Sequence, residues 1–73
     1  MATIAIEVTT DDEAGKVFGT LRTLERDRTV KKSQFHDEGY FLAWGIEDYD
    51  VERVVGVFED MRAEFPGIHA YQD

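Results

Sequence analysis

Histidine and serine are the side chains of this chain that could act as acid, base, nucleophile or metal ligand. His36 and His69 are its two histidines, Ser33 is its only serine, and it has no cysteine. The strands predicted below place the histidines on opposite edges of one sheet, about three strand spacings of 4.8 Å apart, which is too far for shared ligation. Ser33 has no histidine near it in that sheet. We therefore predict no catalytic residues, no metal site and no cofactor, and a protein that is not an enzyme.

The segment from Asp48 to Glu52 has acids at alternate positions, as the start of a calcium-binding loop does. The central glycine and the distal glutamate that such a loop requires are missing. Carboxylates also favour the start of a helix, where they cap free backbone amides, and Asp48 or Asp50 stands just before a helical pattern. We therefore interpret these acids as helix caps.

The length of 73 residues allows one domain, since a chain this small buries only about 60 to 65% of its unfolded surface. We expect residues 1–73 to form a single α+β domain held together by its core, because no disulfide is available. No apolar run reaches the roughly 18 residues of a membrane span, and MATIAIEVTT lacks the basic start and apolar centre of a signal peptide. These features predict a soluble cytoplasmic protein with no membrane contact.

Acidic residues outnumber basic ones by sixteen to eight, so that the net charge is −8. This charge repels nucleic acid and anionic membranes and favours partners with a basic surface. Three explanations stay open: plain solubility, adaptation to high salt, and mimicry of a polyanion such as nucleic acid. Direct binding of nucleic acid is not expected.

The first third of the chain predicts a strand followed by a helix. Residues 3–9 alternate apolar and polar side chains, as a strand with one buried face does. Thr10 and Glu13 then form a capping box ahead of a helix that runs to about Arg26. The apolar stripe of this helix is Ala14, Val17, Phe18, Leu21 and Leu24.

A hairpin is predicted from Thr29 to Ile46, with its turn at residues 36–39 and a left-handed glycine, Gly39, at the end of the turn. Pairing His36 with Tyr40 fixes the register of the two strands. The further pairs are Phe35 with Phe41, Gln34 with Leu42, Ser33 with Ala43, Lys32 with Trp44, and Val30 with Ile46.

Strict alternation along the third strand assigns its side chains to the two faces of the sheet. Leu42, Trp44 and Ile46 fall on one side, and we predict that the helices cover this side. Phe35 and Phe41 fall on the other side, which no element is expected to cover.

A second helix is predicted to begin at Asp48 or Asp50, and Pro66-Gly67 ends it. A short strand follows, with His69 and Tyr71 on one side. With right-handed crossovers, the order strand, helix, strand, strand, helix, strand gives a four-stranded antiparallel sheet in the order 4-1-3-2 with both helices on one face. Over the whole chain this order resembles the ferredoxin-like (split βαβ) fold, which many unrelated functions share.

Two surfaces are predicted to bind a protein, and for the uncovered sheet face this is either a different partner or a second copy of the chain. Aromatic anchors beside small side chains suit the centre of an interface, and the candidate residues on the uncovered sheet face are Phe35, Phe41, His69 and Tyr71. The second surface is an acidic patch on and around the second helix, formed by Glu47, Asp48, Asp50, Glu52, Glu59, Asp60 and Glu64. A simpler alternative is that the two phenylalanines only stabilise the hairpin as a cross-strand pair.

In size, acidity and lack of cysteine the chain is similar to the small inhibitors that phages encode, including anti-CRISPR proteins, some of which present carboxylates to nucleic-acid sites. The resemblance implies a non-enzymatic inhibitor that docks on a basic, nucleic-acid-binding protein. The alternatives are a homodimeric regulatory domain that binds a small metabolite, and a housekeeping domain of a salt-adapted organism. GYFLAW at 39–44 is also similar to the third-strand motif of RNA-recognition domains, but Glu38 stands where that motif has a basic residue.

Overall fold

The computed structural model describes residues 1–73, which form an α+β domain with one antiparallel sheet and two α-helices. The elements in chain order are β1 (Ala2–Glu7), α1 (Asp11–Arg26), β2 (Lys32–His36), β3 (Tyr40–Ile46), α2 (Val51–Asp60) and β4 (His69–Gln72). Two short 3-10 turns, Asp48–Asp50 and Met61–Ala63, flank α2. Neither helix is long and apolar enough to cross a membrane.

The four strands lie in the order β2-β3-β1-β4, and each neighbouring pair is antiparallel. This order confirms the arrangement expected from the sequence of elements. β1 and β3 are the two central strands, while β2 and β4 form the edges. The first and third strands therefore position most of the side chains on both faces of the sheet.

The register of the β2–β3 hairpin is as predicted over the whole of β2. Its pairs are Lys32 with Trp44, Ser33 with Ala43, Gln34 with Leu42, Phe35 with Phe41, and His36 with Tyr40. The turn also has the expected left-handed glycine, since Gly39 has a φ of 112°. The predicted pair of Val30 with Ile46 is wrong, because β2 begins only at Lys32 and its pairing with β3 ends at Trp44.

The core lies between one face of the sheet and both helices, and its buried residues form one cluster. The largest fully buried side chains are Phe58, Ile4, Ile6, Leu21, Ile46, Ile68, Val17, Val30 and Val54. Burying a side chain of this kind contributes about 1.5–3 kcal/mol. Phe18, which the periodicity assigned to the stripe of α1, is instead 53% exposed on the outside of the helix, where Arg22 lies over its ring.

The start of α1 is fixed by a carboxylate that joins two loops. Thr10 is the N-cap, as predicted, and its hydroxyl accepts a hydrogen bond from the Glu13 amide. The Glu13 carboxylate reaches one residue further back than a capping box requires, to the amide and the hydroxyl of Thr9 at 2.8 and 2.7 Å. Its other oxygen accepts the Gly67 amide at 2.8 Å, so that this buried acid ties the β1–α1 loop to the α2–β4 loop.

These hydrogen bonds determine the titration of Glu13. The bond from the Thr9 hydroxyl, followed by that from the Thr9 amide, lowers the pKa of the Glu13 carboxyl below its ordinary value, because both favour the ionised form. There is no room for a side chain at Gly67, since a Cβ at that position would stand 2.0 Å from the Thr9 hydroxyl oxygen. The loop therefore requires glycine.

A β-bulge at Gly45 reverses the expected assignment of β3 to the two faces of the sheet. Thr3 pairs with Trp44 and Ala2 with Ile46, so that Gly45 is the extra residue, and its φ of 74° is left-handed. Trp44 and Ile46 consequently point to opposite faces, although they are two residues apart. The alternation that the sequence suggested holds only up to Trp44.

The predicted faces of Phe41 and Trp44 are therefore wrong. Phe41 is 4% exposed and belongs to the core cluster beneath the helices. It pairs with the fully buried Ile6 of β1, and directly opposed residues of an antiparallel pair share a face. Trp44 and Leu42 lie on the face that no helix covers.

Candidate functional site

The uncovered face of the sheet is formed by three rows of side chains that cross the strands. We define it as the open face. The first row is His36, Tyr40, Glu7 and His69; the second is Gln34, Leu42, Ala5 and Tyr71; the third is Lys32, Trp44 and Thr3. Asp73, whose amide donates to the Thr3 carbonyl at 2.9 Å, continues the third row.

Large and small side chains are segregated on the two central strands. β3 contributes Tyr40, Leu42 and Trp44, while β1 contributes Thr3 and Ala5 directly opposite Trp44 and Leu42. Ala5 is only 3% exposed, although no helix lies over it, because its row neighbours close around it. A depression of about 350 Å³ lies here, and its lining residues are Ala5, Glu7, Tyr40, Leu42, Tyr71 and Asp73.

The net charge of the open face is small. Apart from His36 and His69, its acidic and basic residues are Glu7, Lys32 and Asp73, which sum to −1, whereas the chain has sixteen acidic and eight basic residues. The Lys32 ammonium lies 6.0 Å from the centre of the Trp44 ring, close enough for a weak cation–π contact. The open face is thus richer in aromatic side chains than the chain as a whole, and it carries little of the chain's net negative charge.

His69 and Tyr71 lie on the open face, as predicted. Their rings are 5.3 Å apart, and the Tyr71 hydroxyl donates to the Glu7 carboxylate at 2.9 Å. This hydrogen bond, followed by partial burial and the charge of Glu7, raises the pKa of the Tyr71 hydroxyl. His69 also reaches around the edge of the sheet to Glu59 of α2, with 3.1 Å between Nδ1 and the nearer carboxylate oxygen.

His36 and His69 occupy the two ends of the same row, on opposite edge strands. The His36 ring stacks on the Tyr40 ring with centres 4.7 Å apart, and its Nε2 is buried without a hydrogen-bond partner. No group of three or more histidine and carboxylate side chains stands close enough together to hold a metal ion. Ser33 lies on the helix side of the sheet, where its hydroxyl donates to Glu25 of α1.

Phe35 is not on the open face either, so the predicted position of both phenylalanines is wrong. It shares the helix side of the sheet with Phe41, and the centres of the two rings are 4.8 Å apart. Because β2 is an edge strand, Phe35 remains 44% exposed. It lies at a cleft of about 440 Å³ between the hairpin turn and the start of α1, lined by Val8, Thr9, Thr10, Asp11, Ala14, Phe35, Asp37 and Gly39.

The seven acids predicted as one patch differ in their partners. Asp50 does not cap α2 with its side chain; its carboxylate is bound by Arg53, with a shortest distance of 3.0 Å. Glu59 is shared by His69 and Arg62, and Asp48 lies 3.8 Å from the amino group of Met1. Glu47, Glu52, Asp60 and Glu64 are in no ion pair. The unpaired acids are therefore divided between the two ends of α2, which is about 15 Å long.

Comparison with known proteins finds no family model, no curated protein and no solved structure that matches this chain. The open face is the surface of this chain with the clearest chemical character. Sequence reasoning missed Tyr40, Leu42 and Trp44 as members of it. The signal that could have identified them is Gly45, because an isolated glycine inside a strand pattern often marks a bulge.

Proposed function

We propose that this protein is a small binding protein, not an enzyme, that docks on a protein partner through the open face. The observation that carries this proposal is the concentration of Tyr40, Leu42, Trp44 and Tyr71 on one face, whose charged residues Glu7, Lys32 and Asp73 sum to only −1 in a chain with net charge −8. Interface centres are enriched in aromatic residues and depleted of charge. The depression on the face is open to solvent, whereas a pocket for a small ligand usually buries most of the ligand.

A protein partner is favoured over a nucleic acid by the charges around the aromatic residues. Tyr40, Trp44 and Tyr71 could stack on bases, as single-strand binding surfaces do. Phosphates need lysine or arginine beside the bases, and Lys32 is the only cation on the open face. Glu7 and Asp73 would repel a phosphate backbone there.

The same proposal includes a ferredoxin-like arrangement of the domain and a cytoplasmic location. The order β2-β3-β1-β4 and the packing of both helices against one side of the sheet support the fold. The absence of cysteine supports a reducing compartment. The docking surface depends on neither the type of fold nor the location in the cell, since the registers of the four strands define it.

The test is site-specific photo-crosslinking in cells that express the protein. A photoreactive amino acid replaces Gln34 on the open face, Glu52 on α2 or Thr23 on the outside of α1, and all three positions are exposed. We expect protein adducts from position 34 and none from position 23. Adducts that ribonuclease or deoxyribonuclease removes would indicate nucleic acid instead. No adduct at position 34, or equal yields at positions 34 and 23, would contradict docking through the open face.

A second candidate function is supported by the unpaired acids at the ends of α2. Glu47, Glu52, Asp60 and Glu64 have no cationic partner in the chain, so they could meet lysine and arginine side chains of a nucleic-acid-binding protein. This is the inhibitor role suggested by the likeness to small phage-encoded proteins, including anti-CRISPR proteins. In the crosslinking experiment it requires adducts from position 52. Replacing two of these acids with lysine reverses their charge and should then abolish the adduct with the partner.

A further inference from the structure

The open face is complementary to itself, and this property identifies an occupant. The inference rests on the proposed docking function and names the partner. On the central strands, a column of large side chains on β3 stands beside a column of small ones on β1, with Leu42 opposite Ala5 and Trp44 opposite Thr3. A second surface that fits this one must carry small side chains over β3 and large ones over β1.

A second copy of the chain provides such a surface when the two sheets face each other across a two-fold axis parallel to the central strands. This rotation keeps every row in place and exchanges β1 with β3 and β2 with β4. Leu42 then lies over Ala5 of the second copy, and Trp44 lies over Thr3. Facing sheets pack about 10 Å apart with their strands turned by about 30°, which keeps the central columns in contact.

The charged residues of the open face agree with the same axis. Lys32 is on β2, and Asp73 continues β4 in the same row. Because the axis exchanges β2 with β4, each Lys32 faces Asp73 of the second copy. The Tyr40 hydroxyl likewise lies over Glu7, whose carboxylate accepts hydrogen bonds. A two-fold axis perpendicular to the strands would instead stack Leu42 on Leu42 and Ala5 on Ala5, with a gap over β1.

The area of the open face suits a reversible dimer. Three rows about 6.8 Å apart on four strands about 4.8 Å apart cover roughly 20 × 20 Å with their side chains. Burying this face on two copies removes on the order of 1,000 Å² from water, at the lower limit of specific interfaces. We propose that the open face joins two copies of this chain into a two-fold symmetric dimer, with the sheets facing and the axis parallel to β1 and β3.

Sedimentation velocity from about 1 to 500 µM tests the dimer, and acrylamide quenching of Trp44, the only tryptophan, reports whether the open face is covered. We expect a monomer–dimer equilibrium in the micromolar range, with Trp44 less accessible to acrylamide at high concentration. Leu42→Asp should weaken association at least tenfold. Phe18→Asp is the control for the added charge, because it puts a carboxylate in place of an apolar residue on the outside of α1, away from the open face, and it should leave association unchanged.

Charge exchange tests the axis without touching the centre of the interface. Lys32→Glu and Asp73→Lys each bring like charges together in their own homodimers, and each should weaken association. An equimolar mixture of the two variants restores both contacts in a heterodimer, so the mixture should associate more tightly than either variant alone. Both positions are on edge strands or beyond them and are exposed, so these variants should fold even where Leu42→Asp does not.

Several results would overturn the inference. If the wild-type chain stays monomeric up to about 500 µM, the proposed dimer with a dissociation constant in the micromolar range does not form. A dimer that Leu42→Asp leaves intact uses another surface, and a mixture that associates no better than its components excludes the axis. If the wild type is monomeric but position 34 still crosslinks to a different protein, the second copy is wrong and the docking function remains. If position 34 yields no adduct either, both are wrong.

Discussion

Truncating Phe41 should destabilise the fold more than truncating Trp44, although tryptophan is the larger residue. Phe41 is 4% exposed beneath the helices, and a buried Phe→Ala substitution costs about 3–5 kcal/mol because it leaves a cavity. Trp44 is on the open face, where water fills the vacated space, so we expect Trp44→Ala to cost about 1–2 kcal/mol. A domain of 73 residues has a total stability of about 4–11 kcal/mol, so Phe41→Ala should approach the limit of folding.

The measurement is urea denaturation followed by far-ultraviolet circular dichroism at low micromolar concentration, where association contributes little. With a slope of about 1 kcal/mol per molar urea, the midpoint should fall by about 3 M or more for Phe41→Ala and by 1 to 2 M for Trp44→Ala. Phe41→Leu, expected to lose less than about 1.5 kcal/mol, keeps the comparison measurable if Phe41→Ala does not fold. A larger loss of unfolding free energy for Trp44→Ala than for Phe41→Ala would contradict the placement of Phe41 in the core and of Trp44 on the open face, and with it the bulge at Gly45.

Three further predictions concern glycines and an acid. Gly15→Ala and Gly19→Ala should each raise the free energy of unfolding by about 0.4–1 kcal/mol, since a Cβ at either position meets nothing within 4 Å; thermal unfolding of the single and double variants checks this. Gly45→Ala should cost about 1–3 kcal/mol, because a left-handed alanine there would place its Cβ 2.3 Å from the Lys31 Cβ; an unchanged urea midpoint would contradict the bulge. The lowered pKa of Glu13 means that its contribution to stability is complete above the ordinary value of 4.5 and is lost as the pH falls through the folded value; Glu13→Gln should therefore flatten the acid side of the stability profile.

The element order and the hairpin register could be predicted because each depends on short-range patterns, and the strand order then followed from the right-handedness of crossover connections. Thr10 at the start of α1 and Gly39 in the turn each determine their local backbone, and counting outward from that turn gives every pair of β2. The assignment of faces could not be derived in this way, because one extra residue reverses the alternation beyond it. Gly45 was visible in the sequence as an isolated glycine in an apolar strand, and it was the residue on which the assignment depended.

The remaining errors of prediction concern side-chain contacts that no repeating pattern in the sequence indicates. Glu13 was expected to close a local capping box with the Thr10 amide, but its carboxylate binds Thr9 and the Gly67 amide, and Gly67 lies 54 residues further along the chain. Glu59 was expected to be one free acid in a patch, but the packing of α2 over β4 brings it to His69. Nothing in the spacing of the acids distinguishes Glu59 from Glu52. Such pairs can be identified only after the helices have been placed on the sheet.

The response to salt separates the two candidate surfaces, since their electrostatic terms have opposite signs. Docking of the unpaired acids of α2 on a basic partner is attractive at long range, so it should weaken as the Debye length falls from about 30 Å at 0.01 M to about 3 Å at 1 M. Joining two chains of net charge −8 is opposed by repulsion, which the same salt screens, and the open face itself adds a net charge of only −1 per chain. Self-association should therefore strengthen with salt, while the urea midpoint of the monomer changes little. A monomer that needs molar salt to fold would indicate salt adaptation, and its acids would then require no partner to explain them.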